Sequence, residues 1–220
     1  MTKSKGVPAF SFDLLTPFYD FFVELLGYGS KQREKVVNLL DLKPGENLLD
    51  VGCGTGSLLI ATKKMFPKNS VVGVDIDEKI LKIAKSKINK ENLNIELIES
   101  SADNLPFGKE SFDVVVSTLI FHHLPKEVKI GAIKEIHRVL KKKGRFLLVD
   151  FGKAETWLIK SLFAIEEFLR IPEAKTAKDN IEGKIPDFLE KGGFKSREVA
   201  PRDRGIQFLL AEKPYGRNMG

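Results

Sequence analysis

From residue 48 to residue 150, short apolar runs alternate with longer stretches whose apolar residues recur every three or four positions. A short apolar run bounded by turn residues fits a strand buried on both faces. The three-to-four spacing fits a helix with one buried stripe. Strands are expected near 47–51, 71–75, 94–98, 112–117 and 145–151, and helices near 57–66, 77–89 and 126–142. In the second helix Ile80, Leu81, Ile83 and Ile88 alternate with Lys82, Lys85, Lys87 and Lys90, which predicts a core-facing stripe and a solvated lysine face. Asp77 stands where that helix needs its N-cap. Gly144, after Lys141-Lys142-Lys143, reads as the stop of the third helix, with the lysines complementing the helix dipole. Residues 194–199 and 205–212 predict two more strands around the Pro201-Arg202-Asp203-Arg204 turn. The pattern as a whole is that of β-α-β units on a parallel sheet, an α/β fold.

Two segments break this rhythm. Residues 9–28 and 155–171 carry more apolar side chains than one core-facing stripe requires, among them Phe18, Tyr19, Phe21 and Phe22 in the first and Trp157, Phe163 and Phe168 in the second. Packing of these helices on each other and on the sheet edge accounts for them in one reading. In the other they cover an apolar or amphipathic ligand, and the same surfaces suit a peripheral lipid contact or a homodimer.

The first apolar run ends in Asp50-Val51-Gly52-Cys53-Gly54-Thr55-Gly56, and nineteen residues after Gly56 the second run closes on Asp75. Glycines let a turn pass close to a ligand, because they lack Cβ and tolerate positive φ. The helix that follows turns its positive end toward the same place. A carboxylate closing the next strand can accept hydrogen bonds from both hydroxyls of a ribose. Together these features describe a nucleoside site. A dinucleotide fingerprint would carry its third glycine at Ser57, and no G-x-x-x-x-G-K-[ST] run is present. Asp50, just before the turn, opposes a pyrophosphate and suits a cationic ligand.

This D-x-G-x-G-x-G run, with its acidic second-strand end, resembles the first motif of the class I S-adenosylmethionine methyltransferases. The resemblance continues through Asp103-Asn104-Leu105-Pro106-Phe107, Phe112-Asp113-Val114-Val115-Val116 and Arg138-Val139-Leu140-Lys141, and covers roughly residues 45–152. It implies a Rossmann-like, seven-stranded, mostly parallel sheet with a C-terminal antiparallel hairpin, and S-adenosylmethionine as cofactor. By this resemblance the single domain 1–220 divides into N-terminal cap helices (1–44), a cofactor-binding core (45–152), a substrate-covering helical insert (153–192) and the hairpin (193–220).

The resemblance also implies roles. Residues 52–56 pass beneath the methionine portion and ribose, with Thr55 and Gly56 near the carboxylate or sugar. Asp50 lies near the sulfonium and amino group, or stabilises the turn by accepting nearby N–H groups. Asp75 binds the ribose, Ile76 packs on the adenine, and Ser117 offers a backbone contact beneath the sulfonium. Relatives carry an aspartate toward the adenine amino group where this chain has Ser101, in Ser100-Ser101-Ala102-Asp103. Either Ser101 supplies a neutral hydrogen bond or Asp103 takes over, with Ala102 contributing backbone. Thr16-Pro17-Phe18-Tyr19-Asp20 resembles the segment ahead of the first motif in ubiquinone–menaquinone and lipid-headgroup methyltransferases, which places Tyr19 over the cofactor.

Methyl transfer from a sulfonium needs a base only where the nucleophile must lose a proton. His122 and His123, after the fourth strand, are the candidates; a second reading gives them only the shaping of their loop. His137, on the amphipathic helix with Ile133, Ile136 and Leu140, reads as structural. No His/Cys cluster suggests a metal. The single Cys53 of 220 residues forms no internal disulfide and reads as a small spacer in the turn. With no apolar signal core after Met1-Thr2-Lys3-Ser4-Lys5-Gly6, the chain is expected in the cytoplasm. A net charge of +6 leaves an anionic partner open, and with it an RNA methyltransferase, although solvation explains scattered lysines as well. The acceptor best suited to the apolar flanks is a small quinone precursor, lipid headgroup or aromatic metabolite. A non-catalytic protein that only binds the cofactor is the remaining alternative.

Overall fold

Leu48 and Leu49 are neighbours in sequence, yet they enter separate hydrophobic clusters on opposite faces of one sheet, and neither has any exposed surface. Successive strand side chains point to opposite faces, so a run with no polar alternation requires cover on both sides. The computed structural model describes residues 29–155 and 172–214. The strands are β1 (Asn47–Val51), β2 (Ser70–Asp75), β3 (Glu96–Glu99), β4 (Phe112–Thr118), β5 (Leu140–Phe151), β6 (Lys195–Asp203) and β7 (Ile206–Glu212). The helices are α1 (Ser30–Leu39), α2 (Ser57–Met65), α3 (Glu78–Lys90), α4 (Lys126–Val139), α5 (Pro172–Ile181) and α6 (Ile185–Lys191), with a 3-10 turn at Phe121–His123.

The sheet order is β3-β2-β1-β4-β5-β7-β6, and only β7 runs against its neighbours. This is the expected Rossmann-like sheet, closed by an antiparallel hairpin. One face packs on Ile133, Ile136 and Val139 of α4 and Phe188 and Leu189 of α6. The other packs on Val36 and Val37 of α1, Leu58 and Leu59 of α2 and Leu81 of α3. Chain order reverses between β1 and β4, so the carboxyl ends of these strands open the crevice where ligands of doubly wound sheets bind.

α3 begins as expected: Asp77 Oδ1 accepts the Lys79 N–H at 2.8 Å and the Ile80 N–H at 3.4 Å. Its lysine face is not uniformly solvated. Lys87 is half-buried and donates to Ser57 Oγ at 2.6 Å and to Thr55 Oγ1 at 3.2 Å, which ties α3 to the glycine turn.

The third expected helix stops earlier than its pattern suggested. α4 ends at Val139, and residues 140–144 open β5 instead. Pairing with β4 outweighs local helix preference here: Leu140 lies opposite Phe112, and the register slips before Val114 meets Arg145. Lys141 therefore does not serve a helix end; its ammonium bonds Asp113 Oδ2 at 2.8 Å. Gly144 is not a helix stop. A Cβ there would stand 2.7 Å from Leu140 Cδ2 and 3.0 Å from the Asp113 and Lys141 carbonyl oxygens, so the position is glycine because the start of β5 and the β4 backbone together leave no room for a side chain. Arg145 follows, bonding the Leu40 and Asp41 carbonyls and both Glu46 oxygens at 2.7–2.9 Å, which fastens β5 to the turn before β1.

The apolar stretch 9–28, with Tyr19, lies outside the described residues, as do residues 156–171 of the second apolar stretch. Gly144→Ala tests the strand assignment. Overpacking against a wholly buried Leu140 and two carbonyls should lower unfolding stability by about 1–3 kcal/mol, read as a lower urea midpoint with unchanged slope.

Candidate active site

The chain leaves β1 through three left-handed glycines: Gly52 (φ 76°), Gly54 (φ 53°) and Gly56 (φ 76°). The Gly52 and Cys53 N–H groups both donate to the Val74 carbonyl, at 2.8 and 2.9 Å, and the Gly54 N–H donates to Asp75 Oδ2 at 2.9 Å. The turn is thus bent over the end of β2. Each glycine has a separate reason. A Cβ at Gly52 would lie 2.4 Å from Ile120 Cδ1, and one at Gly56 would press Ala84 of α3 at 3.2 Å. At Gly54 nothing lies within 4 Å, so the outer surface of the turn is open.

Asp50 lies beneath this turn with 1% of its surface exposed, and among the described residues neither of its oxygens has a hydrogen-bond partner. It does not stabilise the turn by accepting N–H groups, so that alternative falls. Burial, followed by the charge of Asp75, pushes its carboxyl up to about 8. A buried, unsatisfied carboxylate is costly unless a cation or donor meets it. Asp75, raised chiefly by burial, is partly relieved by the N–H groups of Gly54 and Asp77 on its two oxygens. Cys53 is buried, and burial lifts its thiol well above the ordinary range, so it stays protonated and inert. A Cβ on Gly73 would stand 2.9 Å from its sulfur, which explains the small pair at this crossing.

Around the turn, Ile76 is one of two large hydrophobic residues left exposed among the described residues, at 40%. Ser101 and Asp103 come together, with the Ser101 hydroxyl bonded to Asp103 Oδ1, so the serine and the aspartate act as one polar unit beside Ala102. Gly131 of α4 makes room for Asp103: a Cβ there would sit 2.8 Å from the Asp103 Cβ. Ser117 is wholly buried and its hydroxyl donates to the Val51 carbonyl at 2.8 Å, which binds the tips of β4 and β1. Thr55 is buried and its hydroxyl faces Ser57 and Lys87, away from the open side of the turn.

β4 continues into the segment that carries Ile120, His122 and His123. Ile120 occupies the space above Gly52, and both histidines follow it at the carboxyl end of the sheet. Their rings lie 3.9 Å apart between centroids. His122 Nδ1 is 2.7 Å from Oδ1 of Asp150, a buried residue at the end of β5 to which sequence reasoning gave no role. Lys129 of α4 and Asn180 of α5 were missed in the same way. Lys129 is buried, donates to the Thr176 carbonyl at 2.6 Å and faces Asp179 at 3.8 Å. The only signal for Asp150 in the sequence was a charge closing an otherwise apolar strand. His137 packs edge-on against Phe194 at 5.1 Å, in the structural role its helix position suggested.

Burial, then the neighbouring His122, pushes the His123 imidazole down to about 4, against the opposing pull of Asp150. Folded His123 therefore stays neutral while an unfolded histidine takes up a proton near pH 6.5. Between these values the unfolded state binds more protons, so stability is present above pH 6.5 and falls as pH drops toward 4. His123→Gln should flatten that fall, as measured by urea unfolding between pH 7 and pH 4.5.

Residues 48–144 match a family model described as a methyltransferase domain. Over 205 residues the chain is 31% identical to the demethylmenaquinone methyltransferase of Lactobacillus johnsonii, covering 84% of this chain and 83% of that protein. It is 31% identical over 157 residues to the ubiquinone/menaquinone biosynthesis C-methyltransferase UbiE of Geotalea uraniireducens, covering 69% of this chain and 66% of that one. Among solved structures, a SAM-dependent methyltransferase from Aquifex aeolicus superposes with a TM-score of 0.64 at 24% identity, over 81% of this chain and 88% of the other. With the fold, the glycine turn and similarity over most of its length in agreement, the chain belongs to the class I S-adenosylmethionine-dependent methyltransferases.

Proposed function

We propose that this enzyme methylates a small aromatic acceptor of the quinone-precursor class, and that it holds S-adenosylmethionine between the glycine turn and the end of β2. The observation that carries the assignment of the site is the Asp50 carboxylate, buried beneath the turn with both oxygens unpartnered among the described residues. A cation is the ligand that such a group lacks, and the cofactor carries two, an ammonium and a sulfonium. When bound, the cofactor supplies an electrophilic methyl group.

The remaining roles follow from position. Residues 52–56 lend backbone to the methionine and ribose portions, with Thr55 contributing main chain because its hydroxyl is engaged elsewhere. Asp75 has a second lone pair on each oxygen for the ribose hydroxyls, beyond the N–H groups it already accepts. Exposed Ile76 covers one face of the adenine. The Ser101–Asp103 pair and the Ala102 backbone meet its edge. Ser117 serves through backbone, since its hydroxyl is turned to Val51. The protein's own contribution to rate is alignment of the acceptor and exclusion of water.

For the acceptor, support comes from the two quinone methyltransferases named above and from the apolar rim beside the histidines. Ile120, Leu124 and Phe151 are half-buried there, at the mouth of the sheet. Among the described residues no helix is long and apolar enough to cross a membrane, so an isoprenoid-bearing acceptor would be met at a surface. Three lysines that raise the net charge, Lys87, Lys129 and Lys141, are engaged with internal partners, which weakens the case for nucleic acid.

Asp50 gives this assignment a pH-linked test. In the free protein the raised carboxyl is largely protonated at pH 7, and a cationic ligand pulls it to the charged form. Binding of S-adenosylmethionine should therefore release a proton from Asp50, and affinity should rise with pH up to about 8. Asp50→Asn should remove both effects and weaken binding by about 1.5–3 kcal/mol, roughly 10- to 150-fold. Without ligand, Asp50's own contribution to unfolding stability falls from pH 4 to pH 8, because there its folded form binds more protons. Below pH 6.5 the His123 contribution runs the other way and offsets it, so the net fall should show between pH 6.5 and pH 8 and be smaller in the variant. Calorimetry in buffers of differing ionisation enthalpy reads the proton count. Equal affinity and equal proton release in wild type and variant would refute the assignment.

A further inference from the structure

Asp150 closes β5 on the opposite face from Asp50, and it differs from it in every respect but burial. Its Oδ2 accepts the Phe121 N–H at 2.7 Å. Its Oδ1 accepts the Phe151 N–H at 2.7 Å, lies 2.7 Å from His122 Nδ1, and is reached by the Asn180 amide at 3.4 Å. Two of these neighbours are backbone N–H groups, which can only donate, so the carboxylate acts here as an acceptor. The hydrogen between it and His122 then sits on Nδ1, which selects the tautomer whose free lone pair is on Nε2.

The rest of the ring is fixed as well. His123 stacks beside it and Phe151 meets it edge-on, with centroids at 3.9 and 4.8 Å and planes at 42° and 84°. The His122 side chain keeps 12% of its surface exposed, so one edge of an otherwise enclosed ring remains reachable. The same segment follows β4 at the carboxyl ends of the strands, where Ile120 sits over Gly52, so the ring lies at the end of the sheet that carries the glycine turn. The charged and titratable groups around it are Asp150 from β5, His123 from its own turn, Lys129 from α4 and Asp179 from α5, the last two paired with each other. Asn180 holds the arrangement from behind by also donating to the Phe151 carbonyl at 3.2 Å.

We propose that Asp150 is the positioning residue of a His122–Asp150 dyad in which His122 Nε2 takes the proton of a ring hydroxyl, so that the acceptor is an aromatic ring carrying an ionisable hydroxyl. The inference rests on the methyltransferase reading above and narrows its substrate. In the proton step the acceptor O–H bond breaks and an N–H bond forms at Nε2. The bonding pair stays on oxygen and leaves an oxyanion, whose charge activates the oxygen itself or the ring carbons conjugated with it. The imidazolium so formed is balanced by Asp150 and returns its proton to solvent after methyl transfer; where a ring carbon takes the methyl, the C–H proton shed on rearomatisation restores the hydroxyl on oxygen.

The test has a spectroscopic and a kinetic arm. In protein with nitrogen-15-labelled histidine, His122, identified by loss of its signals in His122→Gln, should show a protonated Nδ1 and a bare Nε2. The opposite tautomer would overturn the dyad, and this arm needs neither turnover nor a buried substitution. In the kinetic arm, 1,4-dihydroxynaphthalene kept reduced is the probe and 1,4-dimethoxynaphthalene its blocked counterpart, with S-adenosylhomocysteine release as the readout. The wild type should turn over the first and not the second. His122→Gln and Asp150→Asn should each lower kcat about 100-fold or more, with KM for the cofactor little changed and the acidic limb of the pH profile lost or displaced. Asp150→Glu should recover part of the rate. A purely structural Asp150 would instead move cofactor KM and kcat together without displacing the limb. Full activity in His122→Gln would overturn the dyad alone. Failure of cofactor-bound wild-type protein to methylate the hydroxylated probe would overturn the acceptor reading and the dyad with it.

Discussion

The carboxyl end of the sheet depends on one bend, where β1 turns over the end of β2. A single carbonyl, that of Val74, receives two successive N–H groups, and the Asp75 side chain receives a third from Gly54. Such a bend demands left-handed backbone at residues 52, 54 and 56, which side chains with a Cβ rarely adopt. From it follow the start of α2, the seating of Ile120 on Gly52 and the closure of Asp50 beneath the turn. The sheet is stiffened on both faces by apolar clusters, so the bend is presented on a rigid edge.

Two buried carboxylates at that edge illustrate how environment divides labour between chemically identical groups. Asp50 has no donor within the described chain, and burial alone would keep it protonated. No described residue of the protein supplies a positive charge or a hydrogen bond to it. Asp150 is surrounded by donors from β5, the Phe121–His123 turn and α5. Both of its oxygens already accept hydrogen bonds, so its contribution passes through the ring it orients. An unsatisfied group implies a missing ligand, whereas a satisfied one implies a scaffold.

Lys87, Lys129 and Lys141 make the same point for cations. Sequence periodicity assigns Lys87 to a solvated face and Lys141 to a helix end and gives Lys129 no role, yet each is held by an internal partner. Formal net charge overstates the basic surface to that extent. Lys141 and Gly144 also show where local preference yields: a lysine-rich stretch ending in glycine is a good helix end in isolation, but hydrogen bonding to β4 captures it as strand.

What the chain determines locally could be read directly. Apolar runs buried on both faces, the Asp77 cap and the alternating glycines depend on steric and hydrogen-bonding preferences of a few adjacent residues, and these survive in any context. The sheet class, the cofactor turn and the carboxylate that closes β2 were legible for that reason. The hairpin and the site roles came by family resemblance, and Tyr19 lies outside the described residues. Tertiary structure alone decided which of the two histidines has an oriented ring, that Asp50 has no partner among the described residues, and that Ser101 and Asp103 form a unit. Those outcomes depend on groups up to tens of residues apart in sequence, such as His122 and Asp150, meeting at one sheet edge. Desolvation there is a property of the packed assembly, and no single position along the chain encodes it.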